Sequence, residues 1–336
     1  MLNQKKLAVA VTVALGASVG FMSSAQATSS LFFPHVVGSQ TVASILTVIN
    51  TAGGRIAQYT NGNLHQTLWT KDAGSNSDEC EDYNQWVTTS FNDITSFDVY
   101  GEFGQNTKGI LFENRVTTDR VDNSNDPSWS LGANTTLPQR GFVLVDNEDN
   151  SSITDEGILR GEAFIFEFAA GATWGYQAAN RINGSYDYAG SASADNASIG
   201  ILPYDEFETA LMVTPVGNYQ AVGNLKTYIS LSQTPGGHFG FFDRDENPFS
   251  ISRSASVTCV GRVDVQDLLF GANGPTGQFL DGGWTTVEIN ATGIADSNAV
   301  VFKLEYNMSD LFNGESVTGV FNNATHILPY GNGWVE

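Results

Sequence analysis

Residues 163–168, with the sequence AFIFEF, decide the fold class, because large side chains recur there at alternate positions. Side chains of a β-strand alternate between two faces, whereas those of an amphipathic helix repeat every three or four residues. Residues 300–306, VVFKLEY, show the same alternation. The residues of one parity in the two stretches are Phe164, Phe166, Phe168, Val300, Phe302, Leu304 and Tyr306. Both stretches are therefore predicted to be β-strands.

The rest of the chain agrees with an all-β fold. Short runs rich in β-branched and aromatic residues are separated by clusters of Gly, Asn, Asp and Pro, which favour turns. Charged residues make up only 15% of the chain, and short helices are predicted only at residues 203–211 and 264–270. Half-exposed strand faces and short connections favour antiparallel sheets packed as a β-sandwich.

Similar short sequence segments occur in the same order in the two halves of the chain, which suggests an internal duplication. The paired segments are Phe33-Pro34 and Leu202-Pro203, Cys80 and Cys259, Asp98-Val99 and Asp264-Val265, residues 166–168 and 304–306, and residues 174–176 and 318–320. The alternative is that β proteins reuse similar strand and turn compositions. We predict two tandem or duplicated sandwich domains at residues 28–196 and 197–336, with a boundary within residues 190–196.

Cys80 and Cys259 are the only cysteines of the chain. In an oxidising compartment two such residues are expected to form one disulfide, although two free thiols are the alternative. A bond that closes so long a loop is expected to contribute about 2–4 kcal/mol. It would join the two halves covalently.

Residues 1–27 have the order of a secretory signal peptide. Lys5 and Lys6 form a short basic region, residues 7–22 are almost wholly apolar, and Ala25-Gln26-Ala27 is a small-x-small cleavage site. We expect this segment to be removed and the protein to be exported to the periplasm, the cell surface or the medium.

The formal net charge of −21 restricts the partners of the chain. Such a surface repels nucleic acid, so no nucleic-acid partner is expected. No apolar stretch after the signal peptide is long enough to span a bilayer, so no transmembrane helix is expected either.

Two acidic loops have the alternating oxygen ligands that calcium prefers. Their residues are Asp243, Asp245 and Asn247 in one loop, and Asp146, Glu148 and Asn150 in the other. Neither loop has the Gly at position 6 or the Glu at position 12 of an EF-hand, which excludes that motif. A looser calcium loop and a solvated turn remain as alternatives, so calcium is the one cofactor that the sequence suggests.

Six tryptophans supply further candidates, because aromatic rings can stack on sugars as well as fill a core. Trp86 and Trp129 lie in polar stretches and are the predicted ligand-binding residues. Trp174 and Trp284 lie in predicted strands and are expected in the core.

The apolar segment Leu31-Phe32-Phe33 lies close to the predicted mature N-terminus. We expect it to form an edge strand of its own sheet. The alternative is that the segment is donated to the open sheet edge of a neighbouring copy, which would build a filament.

Residues 32–51, 78–86 and 161–180 are similar to uncharacterised exported β-rich proteins of environmental proteobacteria. The resemblance covers the N-terminal half and implies export and a β-rich fold. It carries no catalytic residues.

The sequence contains no catalytic motif after the signal peptide, and we therefore expect no enzyme. The favoured function is that of an exported structural or interaction protein of the cell envelope or extracellular matrix, acting through self-assembly or surface contacts. The alternatives are a calcium-assisted carbohydrate-binding module and a polysaccharide hydrolase, since the chain has many acidic residues that could form the required carboxylate pair.

Overall fold

The computed structural model describes residues 30–39, 42–51, 62–89, 94–99, 138–146, 159–167, 172–182, 185–186, 196–204, 207–216, 223–232, 240–249, 253–270, 280–290, 298–307, 311–312, 315–316 and 322–328. The predicted signal peptide lies outside the described residues.

Within these residues the chain forms strands and one short helix. The strands of the first half are β1 (Ser30–Gly38), β2 (Val42–Asn50), β3 (Gly62–Asp72), β4 (Glu81–Thr89), β5 (Ile94–Asp98), β6 (Gln139–Asp146), β7 (Leu159–Glu167), β8 (Ala172–Gln177), β9 (Ala179–Ile182) and β10 (Ser185–Tyr186). The second half contains β11 (Asn196–Ile201), β12 (Phe207–Val216), β13 (Lys226–Ser232), β14 (Phe241–Asp243), β15 (Pro248–Phe249), β16 (Ser254–Thr258), β17 (Gly261–Asp264), helix α1 (Val265–Leu269), β18 (Gly283–Asn290), β19 (Asn298–Asn307), β20 (Leu311–Phe312), β21 (Glu315–Ser316) and β22 (Asn322–Leu328).

Among the described residues, these strands form two larger sheets in each half, and the second half has a two-stranded sheet in addition. The first half has sheets of order β10-β9-β1-β6-β3-β4 and β5-β2-β7-β8. The second half has β15-β14-β18-β13-β16, with β11 also paired to β18, and β17-β12-β19-β22, while β20 pairs with β21. All pairings among the described strands are antiparallel. The prediction of an all-β fold of antiparallel sandwiches is confirmed.

The two halves share one strand topology. The pairings β1-β6-β3-β4 and β5-β2-β7-β8 recur strand for strand as β11-β18-β13-β16 and β17-β12-β19-β22. Asp98 and Asp264 end the equivalent strands β5 and β17, as the duplication predicts. Cys80 and Cys259 are different: one precedes β4 and the other follows β16, so they are not equivalent positions. Of the predicted boundary, only Asn196 is described, as the first residue of β11.

Each pair of sheets encloses a hydrophobic core. The first core contains Leu31, Phe33, Val36, Leu46, Val48, Leu64, Leu68, Phe97, Val143, Val145, Leu159 and Ala163, among others. The second contains Ile199, Ile201, Leu211, Val213, Ile229, Leu231, Phe241, Val257, Val287, Ile289 and Val301, together with buried residues of α1.

A third apolar cluster joins the two sandwiches, and we call it the seam. It consists of Phe32, Cys80, Phe142, Ile165, Trp174, Ala210, Met212, Val216, Cys259, Val260, Val300, Phe302 and Leu304. Strand β19 lies between two apolar layers, because Val301 belongs to the second core and Phe302 to the seam. Alternation along one strand thus supplies both the second core and the seam.

Two expectations need correction. Residues 207–211 belong to strand β12 rather than to a helix, because both faces of that strand are buried. The predicted edge strand that contains Leu31-Phe32-Phe33 is instead an internal strand, since β1 lies between β6 and β9. In the predicted strand β7, the better buried face carries Ala163 and Ile165. The other predicted helix is present as α1.

No helix in the described part of the chain is long and apolar enough to cross a membrane.

Candidate functional site

The loop between β3 and β4, residues 73–80, holds the first sandwich to the second. The side-chain amide of Asn76 pairs with the backbone of Arg262 in the way that a neighbouring strand would. Its Nδ2 donates to the carbonyl of Arg262 at 2.6 Å, and its Oδ1 accepts from the Arg262 N–H at 3.0 Å. The Thr258 N–H also donates to the Asn76 carbonyl at 2.9 Å. A Cβ atom added at Gly261 would lie 2.5 Å from Asn76 Oδ1, so this approach requires glycine.

The end of the same loop is fixed by a disulfide. Cys80 and Cys259 are bonded, with their Cα atoms 6.1 Å apart, and both are buried. The side chain of Asn224 forms two hydrogen bonds with the backbone of Cys80. Its Oδ1 accepts from the Cys80 N–H at 2.6 Å, and its Nδ2 donates to the Cys80 carbonyl at 3.2 Å. The predicted disulfide is confirmed, and it is one part of a larger polar contact between the halves.

Lys71 is the buried cation of this contact. Its ammonium group donates to the carbonyls of Asp78 at 3.0 Å and Thr258 at 2.6 Å, so it bridges the two sandwiches. Burial lowers the pKa of Lys71 from 10.5 to about 8; the charge of Asp78 opposes this shift, and that of Arg140 adds to it.

This pKa predicts an alkaline rise in stability. Between about pH 8 and pH 10 the unfolded chain keeps the Lys71 proton while the folded chain loses it, so stability increases with pH. At higher pH the trend reverses, because burial raises the pKa of Tyr83 to about 12 and the unfolded tyrosine ionises first. The test is the urea midpoint across this range. Lys71→Met should remove the rise, and a rise of the same slope in that variant would contradict the assignment.

Arg262 centres a second polar cluster. Its guanidinium forms ion pairs with Glu208 and, at 2.7 Å, with Asp264, and it lies 5.3 Å from the centre of the Tyr306 ring. Burial raises the pKa of the Glu208 carboxyl, with the Arg262 charge opposing this and that of Asp264 adding to it. Two carboxylates near each other are the minimum for a glycosidase. Here, however, Arg262 binds both carboxylates, and this arrangement suits a structural role in joining neighbouring strands.

His35 is buried beside the seam. It stacks on Trp174 with 6.0 Å between ring centres, and burial holds the pKa of His35 well below its usual value. Tyr176 fixes its backbone, because the hydroxyl donates to the His35 carbonyl and accepts from the His35 N–H.

The predicted calcium loop at residues 243–247 is a tight turn between β14 and β15. Asn247 donates to the two carboxylate oxygens of Asp243, through its backbone N at 2.8 Å and through Nδ2 at 2.9 Å. Asp245 is exposed. Among the described residues, no three His, Cys, Asp or Glu side chains form a group able to hold a metal ion. Calcium binding at this loop stays a prediction.

These hydrogen bonds predict an acid-dependent contribution from Asp243. The side-chain bond from Asn247 is the main cause that lowers the pKa of Asp243 in the folded state. The turn is therefore stabilised above the unfolded pKa, and this contribution is lost as pH falls through the lower folded value. We expect Asp243→Asn to reduce the urea midpoint at neutral pH more than at the acid end of the transition. An equal loss at both pH values would contradict this role.

The other predicted site residues are not brought together by the described structure. Asp146 ends β6, opposite His65 in the sheet, whereas Glu148, Asn150 and Trp129 lie outside the described residues. Trp86 lies in the edge strand β4. Ligand binding by Trp86 and Trp129 stays a prediction.

An aromatic pair, of which Trp284 is exposed and Phe242 is half-buried, lies on the outer face of the six-stranded sheet of the second sandwich. Trp284 and Phe242 are cross-strand partners, and their rings stack with centres 4.7 Å apart and planes 18° apart. Trp284 has 39% of its surface exposed, so the expectation that it lies in the core is wrong. Trp174 is buried as expected.

We call the pair of Trp284 and Phe242 the aromatic platform, and the neighbouring Gly200 and Ser198 are exposed. Gly200 is the partner of Trp284 on its other side, and a Cβ atom added there would meet nothing within 4 Å. One step along the strands, the hydroxyls of Ser198 and Thr286 are 3.2 Å apart. Glu288 follows on the same face of β18.

Comparison with known proteins identifies no relative. No family model matches the chain, and no curated protein or solved structure shows significant similarity to it. Function is therefore argued from the geometry alone.

The platform was missed in the sequence although its signal was present. In β18, the side chains of Val287 and Ile289 point into the second core. Alternation along the strand therefore places Trp284 and Glu288 together on the outward face. No sequence pattern indicated the roles of Asn76 and Asn224, because each side chain binds backbone groups that are distant along the chain.

Proposed function

We propose that this chain is an exported, non-enzymatic structural or interaction protein of the cell envelope or extracellular matrix. The junction between the sandwiches carries this proposal, since the apolar seam, the buried disulfide and the contacts of Asn76 and Asn224 all lie there. Such a junction favours a rigid body that keeps its surfaces in a fixed relation outside the cell.

Two cations, the buried Lys71 and the half-buried Arg262, support the same proposal. Lys71 donates to two carbonyls and Arg262 binds two carboxylates, so both cations serve the junction between strands and sandwiches. Catalytic groups instead need an accessible cleft and a proton that is free to move.

The first experiment asks where the protein is and whether it assembles. Mass spectrometry of the exported protein should show a chain that begins at Thr28 and contains an intact disulfide. Light scattering after size exclusion, in calcium and in EDTA, should show oligomers if the protein self-assembles. Deletion of the protein should alter adhesion, biofilm or surface structures. Cells with unchanged surfaces, or a chain retained in the cytoplasm, would contradict the proposal.

A further inference from the structure

We propose that the aromatic platform binds a glycan of uncharged or amino sugars, an inference that rests on the proposed function and names the class of partner. The central observation is the geometry of Trp284: Phe242 stacks on the indole from the β14 side, with ring centres 4.7 Å apart, while Gly200 lies on the β11 side and 39% of the Trp284 surface is exposed. A sugar ring presents C–H groups of slight positive charge, which suit the negative face of an aromatic ring.

This stacking differs from the packing of aromatic pairs in the adjacent core. Phe241 and Phe249 meet at 46°, and Tyr204 and Phe270 meet edge-on at 79°. A nearly parallel pair also packs at the seam, where Trp69 and Phe142 stack at 13°, so the exposure of Trp284 is what distinguishes the aromatic platform. The exposed indole plane lies on the other side of the second core from the seam, so contact between the sandwiches does not cover it.

Gly200 keeps the approach to this plane open. It is opposite Trp284 in the sheet, and its position has free space beside it, so packing does not require glycine there. A larger side chain at position 200 would stand next to the indole and occupy the space of a stacked sugar ring.

The neighbouring rows of the sheet carry polar side chains, of which Ser198 is exposed, Glu288 is half-buried and Thr286 is buried. Ser198 with Thr286, and then Glu288, follow Trp284 at steps of about 7 Å along β18, which is the repeat of side chains on one strand face. Binding sites that pair an aromatic surface with a few fixed polar groups are typical for small polar ligands. A large protein partner would instead need a wider apolar centre.

Charge selects the class of glycan. The turn of residues 243–247 adjoins Phe242 and exposes Asp245 and Glu246 beside a single Arg244, in a chain whose net charge is −21. This field disfavours acidic sugars and accepts neutral or amino sugars.

Calorimetric titration of the purified exported protein tests the inference with three probes: a cello-oligosaccharide, a chitosan oligosaccharide and an oligogalacturonate. We expect binding of the neutral or the amino probe and none of the acidic probe. Trp284→Ala should weaken binding about tenfold or more, and Gly200→Gln should do the same by obstruction.

Ile94→Ala is the matched control, because Ile94 is an exposed apolar residue of the first sandwich, with 57% of its surface accessible. It should leave affinity unchanged, and thermal unfolding should show that all three variants fold. Absence of binding to both non-acidic probes, unchanged affinity in Trp284→Ala, or binding of the acidic probe alone would overturn the inference. A surface defect on deletion without glycan binding would overturn this inference and leave the proposed function standing.

Discussion

Phe302→Ala is expected to destabilise the protein by about 3–5 kcal/mol, the usual cost of removing a buried aromatic side chain. Phe302 is 3% exposed and contacts two rings of the other sandwich, Trp174 and Tyr176, with ring centres 5.7 and 4.8 Å away. The loss should fall on the seam, because Phe302 points away from the second core while Val301 points into it. Urea unfolding should therefore separate into two transitions.

Phe241→Ala is the matched control for this prediction, since Phe241 is fully buried in the second core. It should cost a similar free energy but leave the seam intact. Hydrogen exchange distinguishes the two variants: amides of β8 should lose protection in Phe302→Ala and keep it in Phe241→Ala. A single cooperative transition with unchanged exchange in β8 would show that the seam does not couple the sandwiches.

The strands of these layers were largely predictable, because a period of two is visible in single stretches of sequence. Residues 300–306 gave the correct strand and the correct division into two faces. The sequence did not show that both faces of β19 are buried, since the second apolar layer comes from Trp174 and Tyr176, far away in the chain. Burial on both faces depends on the packing of the sandwiches, which no local pattern contains.

The candidate site shows the same limit. Parity within β18 was sufficient to place Trp284 outside, but the stacking partner Phe242 arrives through the β14–β15 hairpin, an addition to the repeated topology. The alternating acids at residues 243–247 were a correct sign of a tight turn. Asn247 directs its backbone N–H and its Nδ2 towards the two carboxylate oxygens of Asp243. Sequence spacing predicts which groups are near, and hydrogen bonding decides which remain available.

Replacement of both cysteines, Cys80→Ser with Cys259→Ser, is expected to lower the free energy of unfolding by about 2–4 kcal/mol. The disulfide closes a loop between residues 179 positions apart, so its main effect is to restrict the unfolded chain. The folded double variant should keep its hydrodynamic size, because Asn76, Asn224 and the seam still join the sandwiches.

The backbone conformation of Cys259 also affects the free energy of unfolding, and a second variant separates this effect from that of the disulfide. Its φ of 64° lies in the left-handed region, which costs a residue with a side chain roughly 1 kcal/mol or more relative to glycine. Cys80→Ser with Cys259→Gly should therefore be more stable than the double serine variant by about 1 kcal/mol, as measured by urea unfolding under identical conditions. Equal stability would show that the backbone relaxes once the bond is absent, so that the disulfide itself holds Cys259 in this conformation. The double serine variant must still unfold at a lower urea concentration than the parent, because neither asparagine contact replaces a covalent constraint on the unfolded chain.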